Sequence, residues 1–93
     1  MATPIANGAR PRLARGVRLQ LDHTTGKGVL LFPEGILELN ETAQAILARC
    51  DGSRLQEIAA ELAGEYDIDL ATVLVDARET LAELEERRLI EFV

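Results

Sequence analysis

The sequence has few aromatic residues, no tryptophan, one cysteine and one histidine among its 93 residues. The three aromatic residues, Phe32, Tyr66 and Phe92, are too few to form a platform on which nucleic-acid bases or sugars stack. Cys50 and His23, each the single residue of its type, cannot form an intramolecular disulfide, a Cys/His metal cluster or an iron–sulfur site. The composition therefore argues against a secreted disulfide scaffold and most metalloenzymes.

Long apolar runs are also lacking. No run approaches the roughly 18 residues of a membrane-spanning helix, and residues 1–9 lack the apolar core of a signal peptide. We therefore expect a cytoplasmic protein with no membrane partner. A chain of 93 residues that is 47% hydrophobic and 28% charged has the usage typical of one small globular domain.

Positive charge is scarce in most of the chain. Residues 1–33 contain five basic side chains and one acidic one, whereas residues 34–93 contain five basic and fifteen acidic side chains, and the net charge is −6. A protein that binds nucleic acid needs a basic face that neutralises phosphates. The acidic two-thirds of this chain would repel them, so we expect no nucleic-acid partner.

The first part of the chain predicts an arm followed by three short strands. Residues 1–12 show no sustained period and are predicted to form a flexible N-terminal arm, with one domain over residues 13–93. Residues 17–21 alternate apolar and polar side chains, residues 28–32 form an apolar run, and residues 36–39 form a third short strand. Short loops between the strands indicate an antiparallel β-meander.

The period becomes helical at Asn40, which is predicted to cap a first helix that ends at Cys50. Ser53 and Gln56 fit the capping-box pattern of a second helix. Asp69 is predicted to cap the third and longest helix, whose inward face is Leu70, Val73, Leu74, Ala77, Leu81 and Leu84. Residues 89–93 form a short extended tail. The fold class is therefore α+β, a three-stranded meander followed by three helices.

Catalytic motifs are absent from the sequence. Gly26 and Lys27 do not form a phosphate loop, because Gly28 stands where Ser or Thr would bind magnesium. Cys50 at a helix end has no activating partner. No acid–base pair, nucleophile or metal site is found, so we expect a protein that is not an enzyme and needs no cofactor.

The third strand has an unusual edge. In a meander it lies outermost, and Ile36, Leu37 and Leu39 leave only Glu38 as a charge that would discourage pairing. An apolar edge of this kind invites strand addition by another chain. Alternatively, a helix or the C-terminal tail covers it.

The third helix presents a small apolar flank beside its core face. At 100° per residue, Ala71, Val75 and Ala82 lie together with Arg78, away from Asp76. Next to the strand edge, this flank would complete a groove for an extended peptide. The predicted peptide-binding residues are therefore Ile36, Leu37, Glu38, Leu39, Ala71, Val75, Arg78 and Ala82.

Three stretches carry a resemblance to a known family. They are residues 31–47 (LFPEGILELNETAQAIL) with Cys50-Asp51-Gly52, residues 55–62 (LQEIAAEL) and residues 84–90 (LEERRLI). Over about residues 12–92 the chain resembles the pyrroloquinoline quinone (PQQ) biosynthesis protein D family, and the Pro33-Glu34-Gly35 turn leading into the first helix is the most specific part.

The resemblance implies a winged-helix-like domain that recognises ribosomally made, modified peptides. It implies a peptide chaperone that binds the precursor peptide PqqA on the third strand, packed against the third helix, and presents it to the radical S-adenosylmethionine (SAM) enzyme PqqE. The resemblance identifies no catalytic residue in this chain. The expected oligomeric state is a monomer or weak homodimer.

A winged-helix DNA-binding transcriptional regulator is the alternative, because strands with three helices also hold a recognition helix. The charge of the third helix distinguishes the peptide chaperone from the DNA-binding regulator. Residues 70–88 contain three Arg and five acidic residues, whereas a helix that enters a DNA groove should be net basic.

Overall fold

The computed structural model describes residues 5–93. Their elements are the strands β1 (Pro11–Leu13), β2 (Arg18–Leu21), β3 (Gly28–Phe32), β4 (Gly35–Glu38) and β5 (Ile90–Phe92) and the helices α1 (Glu41–Leu47), α2 (Leu55–Tyr66) and α3 (Leu70–Glu86). β2, β3 and β4 form the antiparallel sheet in the order β2-β3-β4. The predicted α+β class, with a three-stranded meander followed by three helices, is confirmed.

The chain ends form a second sheet that the sequence did not predict. β1 pairs antiparallel with β5, with Pro11 opposite Phe92 and Leu13 opposite Ile90. The Arg12 guanidinium and the Glu91 carboxylate lie 2.7 Å apart across this pair. The predicted extended tail is thus a strand, and its partner lies at the other end of the chain.

The predicted flexible arm does not fit the contacts of residues 5–12. Ile5 is buried in the core, Pro11 is fully buried, and the backbone carbonyls of Asn7 and Ala9 accept hydrogen bonds from Gln56 and Leu55 at the start of α2. These bonds satisfy N–H groups that the first turn of a helix leaves free. The part of the predicted arm over residues 1–4 lies outside the described residues.

One hydrophobic core joins the sheet to the helices. Its largest fully buried apolar side chains are Leu30 on β3, Ile46 on α1, Leu55 and Ile58 on α2 and Leu81 on α3. β3 also contacts α1 directly, because the Gly28 N–H donates a 3.0 Å hydrogen bond to Gln44 Oε1. A Cβ at position 28 would lie 2.8 Å from Gln44 Cγ, so this close approach requires glycine.

The three helices begin close to the predicted positions, but some of their capping residues differ from the prediction. The Asn40 side chain accepts a 2.7 Å hydrogen bond from the Ala43 N–H, which confirms the predicted cap. The predicted capping box at Ser53 lies one residue too early, since α2 begins after Arg54, whose N–H donates to Glu57. α3 begins after Asp69, but that side chain makes no capping hydrogen bond.

Candidate functional site

β4 is an edge strand whose outer side is open. The Leu39 N–H donates to the Gly28 carbonyl, so the alternation of the antiparallel ladder assigns residues 35, 37 and 39 to the bonds with β3. The N–H and C=O groups of Ile36 and Glu38 therefore point away from the sheet. No backbone group in the described part of the chain bonds to them.

The side chains of this strand alternate between solvent and core. Ile36 is 68% exposed, and the exposed Glu38 carboxylate lies 3.2 Å from Lys27 Nζ. Leu37 packs against the core and Leu39 is only 5% exposed. Of the four predicted strand residues, Ile36 and Glu38 thus face solvent, whereas Leu37 and Leu39 are engaged with β3 and the core.

The C-terminal tail does not cover this edge. It pairs with β1 as β5, and no backbone group of residues 5–93 bonds to the outer side of β4. β2, at the other side of the sheet, is a second edge, where alternation directs the main-chain groups of Leu19 and Leu21 outward. The sheet therefore has two edges, and the β4 edge carries the more exposed apolar side chain.

The predicted flank of α3 is only partly available. Ala71, Val75 and Ala82 are exposed, and Val75 is 53% exposed. Arg78, however, donates a 2.9 Å hydrogen bond from Nε to the Ile5 carbonyl and a second one from its terminal nitrogen to the Asn7 side chain. The guanidinium therefore holds the N-terminal segment, and its role in peptide binding stays a prediction.

An apolar cavity lies on the opposite flank of α3, where the sequence predicted none. It measures about 230 Å³ and is lined by residues of α1, α2, α3 and the turn between α2 and α3. Leu62 and Val73 form its buried part, and Tyr66 and Ile68 are each 46% exposed. The helix α3 packs mainly on α2, β5 and α1, whereas the strand β4 packs mainly on β3, so α3 and β4 are not main packing partners of each other.

Cys50 is buried, and its thiol is not activated. Its thiol donates a 3.3 Å hydrogen bond to the Ile46 carbonyl. Desolvation by burial, with a smaller contribution from the charge of Asp51, raises the pKa of Cys50 from 9.0 to about 12. Because a nucleophilic cysteine needs a lowered pKa, this thiol is unsuited to covalent catalysis.

The raised pKa predicts a loss of stability at alkaline pH. Between pH 9 and about 12 the unfolded chain loses the Cys50 proton and the folded protein keeps it, so the free energy of unfolding decreases as pH rises through this window. Between pH 8 and pH 10 the free energy of unfolding of the wild type should fall by about 1 kcal/mol more than that of Cys50→Ala. Urea unfolding of both proteins at the two pH values measures this, and parallel losses would contradict it.

The charge of α3 does not match a DNA recognition helix. Arg78 is the only basic residue within Leu70–Glu86, and it is engaged with Ile5 and Asn7. Arg87, which follows the helix, lies 3.6 Å from the Glu83 carboxylate. The helix therefore lacks a free basic face for phosphates.

Within residues 5–93, no group of three or more His, Cys, Asp or Glu side chains is arranged to hold a metal ion. No helix of that range has the length and apolar character needed to cross a membrane.

Comparison with protein families identifies a match that spans more than half of the chain. The family model described as coenzyme PQQ synthesis protein D (PqqD) matches residues 27–90. A PqqA binding protein of Xanthomonas oryzae pv. oryzae (strain KACC10331 / KXO85) is 45% identical over 87 residues, which cover 92% of this chain and 95% of that protein. A PqqA binding protein of Rhizobium meliloti (strain 1021) is 39% identical over 92 residues, which cover 97% and 94%.

Two solved structures share the fold. The solution NMR structure of the PqqD truncation of Methylobacterium extorquens PqqCD, described as a functional, stand-alone recognition element for ribosomally synthesized and post-translationally modified peptides, has a TM-score of 0.83 and 38% identity, covering 94% of each chain. The crystal structure of PqqD from Xanthomonas campestris has a TM-score of 0.58 and 38% identity, covering 91% of this chain and 96% of that one.

Proposed function

Because the chain belongs to the coenzyme PQQ synthesis protein D family, we propose that it is a non-catalytic peptide-binding protein of PQQ biosynthesis. Its ligand is a PqqA-like precursor peptide, which binds by strand addition. The relatives that carry the name PqqA binding protein support this ligand. The buried, protonated thiol of Cys50 supports a role without covalent chemistry.

The observation that carries the proposal is the open edge of β4. Ile36 and Glu38 each offer one N–H donor and one C=O acceptor that no backbone group of residues 5–93 satisfies. An extended peptide placed alongside would bond to all four groups and extend the sheet to four strands. Such bonds supply affinity, while side chains beside the edge supply selectivity.

We further propose that the bound peptide is presented to a radical SAM enzyme of the PqqE type. Strand addition engages the main chain of only a short segment of the peptide. The rest of the peptide stays accessible to an enzyme that modifies its side chains. The cytoplasmic location and the monomeric or weakly dimeric state stay predictions.

Two measurements test the proposal in sequence. Isothermal titration of the chain with the full-length precursor peptide should give a saturable 1:1 complex. The radical SAM enzyme should then modify the peptide faster or more completely when the chain is added, and a β4-edge variant should not support this. No heat of binding to the precursor would contradict the peptide-binding role, and binding without any effect on the enzyme would contradict presentation.

The exposed flank of α3 remains a proposed contact surface. If peptide packs over it, Val75→Asp places a charge in that interface and should weaken binding by about 1–3 kcal/mol. Because Val75 is 53% exposed, the fold should survive, which a melting curve checks. Ala82→Asp serves as the matched variant on the same flank. Unchanged affinity of both folded variants would remove this flank from the site.

A further inference from the structure

The edge of β2, on the side of the sheet away from β4, is open. The Asp22 N–H donates a 2.7 Å hydrogen bond to the Lys27 carbonyl, so the alternation of the ladder directs the N–H and C=O groups of Leu19 and Leu21 outward. No backbone group of residues 5–93 bonds to these four groups. Leu21 is 44% exposed, and the edge is therefore accessible to a second strand.

This strand is complementary to a second copy of itself that runs in the opposite direction. A two-fold axis at Gln20 places Leu19 opposite Leu21 of the second copy, and Leu21 opposite its Leu19. Because these residues carry the outward main-chain groups, the two pairs exchange four hydrogen bonds. A shift of one residue would place opposite them residues whose groups already bond to β3, so the hydrogen bonds fix the register.

The charges of the strand fit the same arrangement. Arg18 and Asp22 lie at equal distances from Gln20, and neither forms an ion pair with another residue of the described range. The antiparallel copy brings each Arg18 opposite an Asp22 in a pair without main-chain hydrogen bonds, where the Cα atoms lie about 4.5 Å apart. Asp22 uses Oδ1 to accept the Thr24 N–H, which leaves Oδ2 for the guanidinium.

The charges also select the direction of the second strand. A parallel copy in register would place Arg18 beside Arg18 and Asp22 beside Asp22, which is repulsive. The apolar side chains add to the antiparallel contact, because Leu19 already packs against the core. Leu21 of the second copy would extend that core and lose its exposure to water.

We propose that the chain forms a two-fold symmetric homodimer in which β2 pairs antiparallel with β2 of a second copy. The two sheets become one sheet of six strands in the order β4-β3-β2-β2-β3-β4. Both β4 edges stay open at its ends, so each dimer would hold two peptides if peptide binds there. The pairing itself does not depend on the function proposed above.

Sedimentation equilibrium of the chain without peptide tests the dimer. Interfaces that bury less than about 1,200 Å² are weak, so we expect about half of the chains or more to be dimeric at about 1 mM. Leu21→Pro removes an outward N–H group and should stay monomeric at that concentration. Glu38→Pro is the matched control, because it makes the same change at the β4 edge and should dimerise like the wild type.

A pair of charge reversals tests the register. Arg18→Asp and Asp22→Arg should each be monomeric where the wild type is dimeric, because like charges then face each other across the two-fold axis. An equimolar mixture of the two variants should dimerise again, since an acidic strand then faces a basic one. Melting curves check that both variants fold, and Leu21→Pro keeps the test valid if Asp22→Arg, which loses the contact to Thr24, does not.

Several results would overturn the proposal. A wild type that is monomeric at about 1 mM would refute the dimer, and a dimer that persists in folded Leu21→Pro would refute pairing at β2. Loss of the dimer in Glu38→Pro alone would move the contact to β4. A mixture of folded charge variants that stays monomeric would refute the register. Since no peptide is present, none of these results bears on the peptide-binding function.

Discussion

Replacing Ile5 with alanine should lower the free energy of unfolding by about 2–4 kcal/mol. Ile5 is only 9% exposed and belongs to the hydrophobic core, and its carbonyl accepts the hydrogen bond from Arg78. The substitution removes buried methyl and methylene groups and leaves a cavity that the surrounding core fills only in part. Urea or thermal unfolding of the two proteins measures the difference.

Ile36→Ala is the matched control for this experiment. It makes the same chemical change at a side chain that is 68% exposed, so the expected loss is within about 0.5 kcal/mol. Equal losses in the two variants, or no loss in Ile5→Ala, would show that residues 5–9 do not pack on the core in solution. In that case the flexible arm predicted for residues 1–12 would be the better description.

Glu38→Pro should weaken binding of the precursor peptide at least about tenfold, corresponding to roughly 1.4 kcal/mol or more. Proline removes the N–H group that points to the open edge and leaves the bonds of Leu37 and Leu39 to β3 in place. Proline is tolerated on edge strands for this reason. Titration calorimetry with the full-length peptide measures the loss.

Two controls locate the effect. Glu38→Ala removes the same carboxylate, with its contact to Lys27, but keeps the N–H, so it should bind much more tightly than Glu38→Pro. Leu21→Pro blocks the other edge of the sheet and should leave affinity unchanged. If Glu38→Pro and Glu38→Ala bind equally well, main-chain pairing at β4 is wrong. A loss confined to Leu21→Pro would move the site to β2.

Local patterns predicted most of the fold. Alternation at residues 17–21 and the Asn40 cap depend on near neighbours in sequence, and strands and helices of this kind follow from their own periodicity. β1 has no such pattern. Its three residues form a strand only because β5, at the other end of the chain, pairs with them. A three-residue strand that forms through long-range pairing has no local sequence pattern from which it could be predicted.

Only part of the candidate site could be predicted, because strand order and helical period are visible in the sequence whereas long-range packing is not. The exposed edge follows from strand order, so Ile36 and Glu38 could be identified from the sequence. The helical period places Arg78 on the apolar flank, but it cannot reveal that Ile5 and Asn7 occupy the guanidinium. The cavity depends on how α1, α2 and α3 pack. Its only trace in sequence is the apolar Tyr66 and Ile68 in an otherwise acidic turn.

Amide hydrogen exchange of the chain, followed by NMR with and without saturating precursor peptide, tests strand addition at β4 most directly. If the peptide adds as a strand at β4, the Ile36 and Glu38 amides will exchange much more slowly when peptide is bound, because they gain hydrogen-bond acceptors. The Leu37 amide, which already bonds to β3, should change far less. Protection of Leu19 and Leu21 instead, or unchanged exchange at Ile36 and Glu38 in the saturated complex, would contradict it.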